Sequence, residues 1–192
     1  MSIKRTVSGV GYNTKTIHKV SIKGKHTLAY STWKHMIQRC YCPKELAKHP
    51  TYIGCTVIDD WHDFQNFAEW FYNHEFSHMG YHIDKDLLYP GNKVYSPKTV
   101  CFVPREINNL LLHRGNAQGK HKQGVTFMKS TGKYLSQISL NGKRKYLGTY
   151  TTEEEAHIAY KEHKEAYVKS MALEWQSLIS TEVYLAMMNW EL

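Results

Sequence analysis

Between residues 124 and 150 the chain alternates apolar and polar side chains in three runs, separated by two turn signals. Residues 124–128 form the first run, Ser130-Thr131-Gly132 a turn, and residues 133–140 the second run. Asn141-Gly142 is a hairpin turn, and residues 143–150 form the third run. A period of two places successive side chains on opposite faces, which a helix cannot do. Asn-Gly between two such runs selects a tight hairpin, because both turn positions need φ > 0. Thr152 and Glu155 then have the spacing of a capping box. In that motif each side chain satisfies a backbone N–H of the helix start. Ala156, Ala159, Tyr160 and Tyr167 follow along one apolar side. The expectation is three antiparallel strands and one helix, a small two-layer module. On the middle strand Lys133, Leu135, Gln137 and Ser139 share one face, and Tyr134 and Ile138 the other.

The same stretch holds an unusual charge. Residues 118–150 carry seven Lys or Arg and no acid. Residues 1–50 are also basic, with ten Lys or Arg against one acid, whereas residues 51–80 carry five acids and no Lys or Arg. The net charge is +8 over 192 residues. A basic sheet face suits a polyanion, and net charge by itself is a weaker argument. Apolar residues make up 42%, enough for a real core and too many for a disordered chain. No run of 18 apolar residues occurs and residues 1–5 lack the apolar stretch of a signal peptide, so a cytoplasmic protein outside the membrane is expected. Cys40, Cys42, Cys55 and Cys101 show neither Cys-x-x-Cys nor zinc-finger spacing, and read as small buried hydrophobes.

The N-terminal part reads differently. Residues 1–28 are polar and Gly-dotted, with weak strand or arm character. Trp33, Met36, Ile37 and Cys40 recur at helical spacing, predicting a helix over 29–40. Asp60 is a plausible N-cap for a second helix carrying Phe64, Phe67, Ala68 and Phe71. Residues 81–88 are strand-like, residues 89–92 a turn, and 93–103 a second short strand. Pro104 suits the first position of a helix with Ile107, Leu110 and Leu111. Residues 113–123 read as a linker.

Residues 82–110, HIDKDLLYPGNKVYSPKTVCFVPREINNL, resemble the HNH (ββα-metal) motif of bacteriophage homing endonucleases. The segment holding Tyr30, Trp33, Met36, Arg39-Cys40 and residues 61–67 resembles the region in front of that motif. The resemblance implies a metal-dependent endonuclease, a hydrolase acting on DNA phosphodiester bonds. It assigns Asp84 and Asn108 to a divalent metal, Mg²⁺ or Mn²⁺, and it places Lys85 where the family has its general-base His. Thr99 stands where the family has the loop Asn that orients the base. Hard oxygen donors suit those cations. A lysine must lose about three pKa units to act as a base near neutrality, since its ordinary value is about 10.4. Strand alternation offers His82 instead, on one face with Asp84 and Asp86 while Lys85 points the other way. Positional correspondence ranks Lys85 above His82.

Residues 122–170 resemble an Apetala-2/ethylene-response-factor (ERF) DNA-binding domain. The resemblance is carried by Gly124-Val125, Gly132-Lys133-Tyr134, Gln137-Ile138, the stretch KYLGTY at 145–150, Thr152 through Ala156, and Ala159-Tyr160. It implies a sheet lying in the major groove of double-stranded DNA, with Lys129, Lys133, Gln137, Ser139, Lys143, Arg144 and Tyr146 as contacts. Arg144 and Tyr146 fall on family contact positions, whereas Gln123, Thr126 and Ser139 replace family arginines. The expected architecture is α+β. A ββα-metal (HNH) nuclease domain spans 1–115, a three-stranded sheet plus helix spans 120–170, and a C-terminal helix spans 171–192. The alternative is a DNA-binding protein with a degenerate, inactive HNH site.

Overall fold

Fourteen consecutive residues from Leu28 to Tyr41 form the first long helix, α1, and its origin is local. Thr27 caps it by accepting the Tyr30 N–H, and Ala29, Trp33, Met36, Ile37 and Cys40 bury one stripe. This is a computed structural model, and it describes residues 5–14, 17–111, 120–140 and 142–192. The chain mixes helices and strands and divides into two compact units at Asn108/Asn109. None of the helices among the described residues is long and apolar enough to cross a membrane.

In the first unit a two-stranded ribbon, β1 (Ser21–Ile22) and β2 (Lys25–His26), precedes α1. A short α2 (Pro43–Lys48) and strand β3 (Thr56–Val57) lead to α3 (Phe64–Asn73). The cap of α3 is Asp63, whose carboxylate accepts the Gln65 N–H; Asp60 lies in a preceding 3₁₀ turn instead. Trp33 fixes that turn by donating from its indole to the Trp61 carbonyl at 2.7 Å, in a fully buried position. α1 and α3 sandwich Trp33, Trp61, Phe64, Phe67 and Phe71, all essentially without solvent exposure. Burying one such aromatic stabilises by about 1.5–3 kcal/mol, so this cluster is the unit's main anchor.

Strands β4 (His82–Asp84) and β6 (Cys101–Val103) pair antiparallel, with Ile83 opposite Phe102. Between them β5 (Val94–Tyr95) pairs in parallel with β3. Phe102 stacks on Trp70 of α3 at 5.6 Å, which turns the Ile83–Phe102 face of the hairpin into the core. Helix α4 (Arg105–Leu111) starts immediately after Pro104. The order is strand, loop, strand, helix.

In the second unit β7 (Val125–Met128), β8 (Lys133–Leu140) and β9 (Lys143–Tyr150) form an antiparallel sheet in sequence order. Helix α5 (Glu153–Trp175) opens with both bonds of the capping box between Thr152 and Glu155. It buries Ala156, Tyr160, Lys164, Val168 and Ala172, one residue in every four. Gly124 is required at the sheet's edge: its φ is +81°, and a Cβ there would lie 2.0 Å from the Tyr160 ring. The expected separate helix over 171–192 is instead the last turns of α5 followed by α6 (Thr181–Met188), whose Val183 and Met187 are buried. Nothing between Ser170 and Trp175 breaks a helix, so α5 runs on. The expected linker over 113–123 falls mostly outside the described residues. Its last residues are tied down, because the Lys122 N–H and the His121 ring both contact the Glu153 carboxylate.

Candidate functional site

His82 and Asp84 are the two ends of β4 and flank the buried Ile83. Alternation therefore turns both away from the aromatic core, about 7 Å apart along the strand. Asn108 on α4 meets the first of them: its Nδ2 lies 3.2 Å from His82 Nδ1. The resemblance assigns Asn108 to the same cation as Asp84; in the structure the side-chain partner of Asn108 is His82. Twenty-six residues separate the partners, and they meet because α4 begins straight after β6, which pairs with β4.

Asp84 binds its own loop. Its Oδ1 accepts the N–H groups of Asp86 at 3.0 Å and Leu87 at 2.8 Å. Burial and the neighbouring Asp86 charge nevertheless push its pKa up, against the pull of those two N–H groups. Asp86 already has the Lys85 ammonium at 2.8 Å, so Asp84 is the carboxylate at this end without a cationic partner among the ion pairs of the described residues. Carboxylate oxygen is the donor type that hard divalent cations take. Among the described residues no group of three or more His, Cys, Asp or Glu side chains is placed to hold a metal ion.

His82 has a lowered pKa, first from burial and then from the charges of Arg39 and Arg105, with Glu106 opposing. The ring is therefore neutral at pH 7. Its partner governs its tautomer. With Asn108 donating from Nδ2, the ring accepts at Nδ1 and carries its hydrogen on Nε2. With the amide turned, Nδ1–H donates to the amide oxygen and Nε2 becomes an acceptor. Only the second arrangement lets Nε2 take a proton from water, and it commits Asn108 to orienting His82.

Lys85 is differently placed. It is only 6% exposed, and its Nζ donates to Asp86 Oδ2 at 2.8 Å and to the Asn92 carbonyl at 2.9 Å. Burial pulls its pKa down, but the bond to Asp86 and the charge of Asp86 outweigh it, and the net shift is upward. That is opposite to what the expected base role requires. The alternation found in β4 carries on past its last hydrogen-bonded pair, so Lys85 points to the buried side and away from His82. Asn92 reciprocates by donating to the Lys85 carbonyl at 2.7 Å and to the Val94 carbonyl at 2.8 Å. Thr99 closes the next turn through the Val94 carbonyl at 2.7 Å and the Ser96 hydroxyl at 2.9 Å. Both residues shape the loop and neither touches His82.

Arg39, Asp86 and Asn92 did not stand out as site residues in the sequence. Asn92 in the turn PGN carried a signal, since Asn side chains bond nearby backbone in turns. The position of Arg39 beside the Tyr52 ring, 5.8 Å to its centroid, depends on packing of α1 and had none.

The second unit presents a separate basic surface. Cross-strand pairs put Thr126 opposite Leu135, Gln137 opposite Tyr146 and Ser139 opposite Arg144. Lys133, Leu135, Gln137, Ser139, Arg144 and Tyr146 therefore share one face, with a bulge at Ser136/Gln137 re-aiming β9. Tyr146 is 64% exposed. Ser136 and Ile138 are buried on the α5 side. Lys143 pairs with Leu140 and Lys145 with Ile138, which puts both on the α5-side face at the hairpin end, away from the other expected contacts. Lys129 is exposed next to the β7–β8 turn. Among the described residues Lys129, Lys133 and Arg144 form no ion pair with a carboxylate.

No family model, no curated protein and no solved structure matches this chain.

Proposed function

We propose that this protein binds double-stranded DNA and, with Mg²⁺ or Mn²⁺, hydrolyses a phosphodiester bond. The reading takes the first unit as an HNH-type ββα nuclease unit and the second as an ERF-type sheet. The observation that carries the chemistry is the His82–Asn108 contact across a strand–loop–strand–helix unit, two residues along β4 from Asp84. His82 is the base, because its lowered pKa leaves it mainly neutral at pH 7 and it has an orienting partner, whereas Lys85 is held protonated in an ion pair. Asp84, with Asp86 beside it, is the cation's protein ligand. A divalent cation held by Asp84 would supply neutralisation of charge on the phosphate and on the leaving oxygen. With its amide turned so that its oxygen accepts from Nδ1–H, Asn108 holds the imidazole with Nε2 open to the proton of an attacking water. Binding rests on the open face of the sheet, where Lys133 and Arg144 meet phosphates and Gln137 and Tyr146 face the bases.

A second reading, DNA binding without cleavage, is favoured by one observation: the family's base position is filled by a buried, ion-paired Lys85. Incubation of supercoiled plasmid with Mg²⁺ or Mn²⁺, and with EDTA as control, separates the two. Relaxed or linear product that appears only with metal and disappears in His82→Ala supports the nuclease. A mobility shift in EDTA without any cleavage in either metal establishes the second reading. Absence of both a shift and cleavage overturns both.

A further inference from the structure

The ribbon of β1 and β2 pairs with no other strand among the described residues. All six residues from 21 to 26 are exposed, including Ile22 at 58%. A two-stranded hairpin alone is only marginally stable, so its root must be held by other contacts. The structure shows them. The Thr27 N–H donates to the Val20 carbonyl at 3.0 Å, and Thr27 also caps α1. The Gln65 side chain accepts the N–H groups of Ile17 and His18 at 3.0 and 2.7 Å and donates to the His18 carbonyl at 3.0 Å. The root is therefore fastened to the core helices while the tip stands free.

The tip is chemically one-sided. Residues 17–28 contain Lys19, Lys23 and Lys25 and no acid, and all three lysines are exposed. Lys23 and Gly24 form the turn, with φ of 48° and 76°. Asn, Asp or Gly occupies the first of these positions more easily, so a lysine there places a charge at the apex at a conformational cost. His26 leans on the Tyr30 ring at 4.8 Å, and Ser21 pairs with it on that side. Ile22 and Lys25 pair with each other and project from the opposite, open side.

We infer that this ribbon is a second duplex-DNA contact of the protein, in which Lys19, Lys23 and Lys25 meet phosphates and Ile22 touches the floor of a groove. The inference rests on the proposed DNA-binding function and adds to it a surface in the first unit. A major groove admits a two-stranded ribbon, and phosphates flank it on both sides. An apolar side chain among the lysines is what contact with thymine methyl groups or a base step needs. An acidic protein partner would be met by the lysines alone and gives no role to a bare isoleucine beside Lys25.

The test is the salt dependence of affinity for a short duplex, measured in EDTA. Lys19→Ala/Lys23→Ala/Lys25→Ala should lower the log–log slope by about 2–3, at roughly 0.9 per lost phosphate contact. The corresponding triple arginine variant should keep the wild-type slope. Ile22→Ser should weaken binding with the slope unchanged. Lys133→Ala/Arg144→Ala reports on the sheet independently. If the sheet variant loses slope and the ribbon variant does not, the ribbon inference is overturned and the DNA-binding reading stands. If only the ribbon variant loses slope, the ribbon stands and the sheet assignment falls. If the wild-type protein does not bind duplex, both fall. Should the triple alanine variant fail to fold, a photo-crosslinking phenylalanine analogue at position 23 decides: an adduct with the duplex supports the contact, and its absence in a DNA-bound protein overturns it.

Discussion

Replacing Lys85 by Met separates a base from a structural cation. Lys85 Nζ makes two charge-assisted bonds, to Asp86 Oδ2 at 2.8 Å and to the Asn92 carbonyl at 2.9 Å. Bonds to a charged group contribute about 1.5–3 kcal/mol each. The Asp86 side chain is 49% exposed and can turn to water once its partner is gone, so its bond counts as little as a surface pair, at about 0–1 kcal/mol. Methionine fills the space of the aliphatic stem but leaves the Asn92 carbonyl without its donor. The net loss is about 2–3 kcal/mol, below the 3–5 kcal/mol typical of breaking a fully buried pair. Urea unfolding followed by tryptophan fluorescence reads it, since Trp33, Trp61 and Trp70 lie in the first unit. At a slope of about 1–3 kcal/mol per molar urea, the midpoint of that unit should fall by roughly 1–2 M. Cleavage by the folded variant should stay within a few-fold of wild type. A Lys85→Met protein as stable as wild type that has lost cleavage by ~10² or more would refute the structural role and restore Lys85 as the base.

Three further outcomes follow from the same geometry. His82→Ala should lower the single-turnover cleavage rate by about 10²–10⁴. Because the pKa of His82 lies below its ordinary 6.5, the wild-type rate should rise with pH with its midpoint below that value, and a midpoint above it would contradict His82 as base. Asp84→Asn should abolish cleavage but raise thermal stability at neutral pH. The raised pKa of Asp84 means its protonated form is the one the fold favours: that stability is full below the ordinary 3.8 and lost as pH rises through the raised value, so the advantage of the always-neutral Asn should vanish in acid. Gly124→Ala forces a Cβ onto the Tyr160 ring at φ +81°, which should cost the second unit about 2–4 kcal/mol in overpacking and strain. Loss of duplex binding with the first unit's unfolding unchanged would be the mark of it.

What was legible in the sequence was whatever is decided within a few residues. The pairing of Leu140 with Lys143, the Thr152–Glu155 box and the helix over α1 each match what the local sequence leads one to expect, because capping and alternation act locally, while the expected turn residue Asn141 lies outside the described residues. The cap of α3 was placed three residues too early. The run Asp59-Asp60-Trp61-His62-Asp63 offers three carboxylates, and the choice among them is made by Trp61 being pinned under Trp33. Likewise nothing at residue 170 ends a helix. A boundary set there by resemblance gave way to a continuous α5 whose buried stripe extends to Ala172.

The candidate site shows the same division more sharply. Residue identity and strand parity put His82 and Asp84 on one face, and the structure does so. What no local rule specifies is the partner of each polar group. Asn108 reaches His82 because of where Pro104 lets α4 begin, and Lys85 finds Asp86 and Asn92 because of how the loop between β4 and β5 closes. A buried lysine must be paired, and once Asp86 and the Asn92 carbonyl take its hydrogens it cannot serve as a free amine. Position within a motif and position on a strand therefore gave opposite answers for Lys85. Parity has the stronger physical warrant of the two, since Lys85 is only 6% exposed and lies two residues from the buried Ile83. Under the proposed nuclease reading, parity therefore favours His82 over Lys85 as the base.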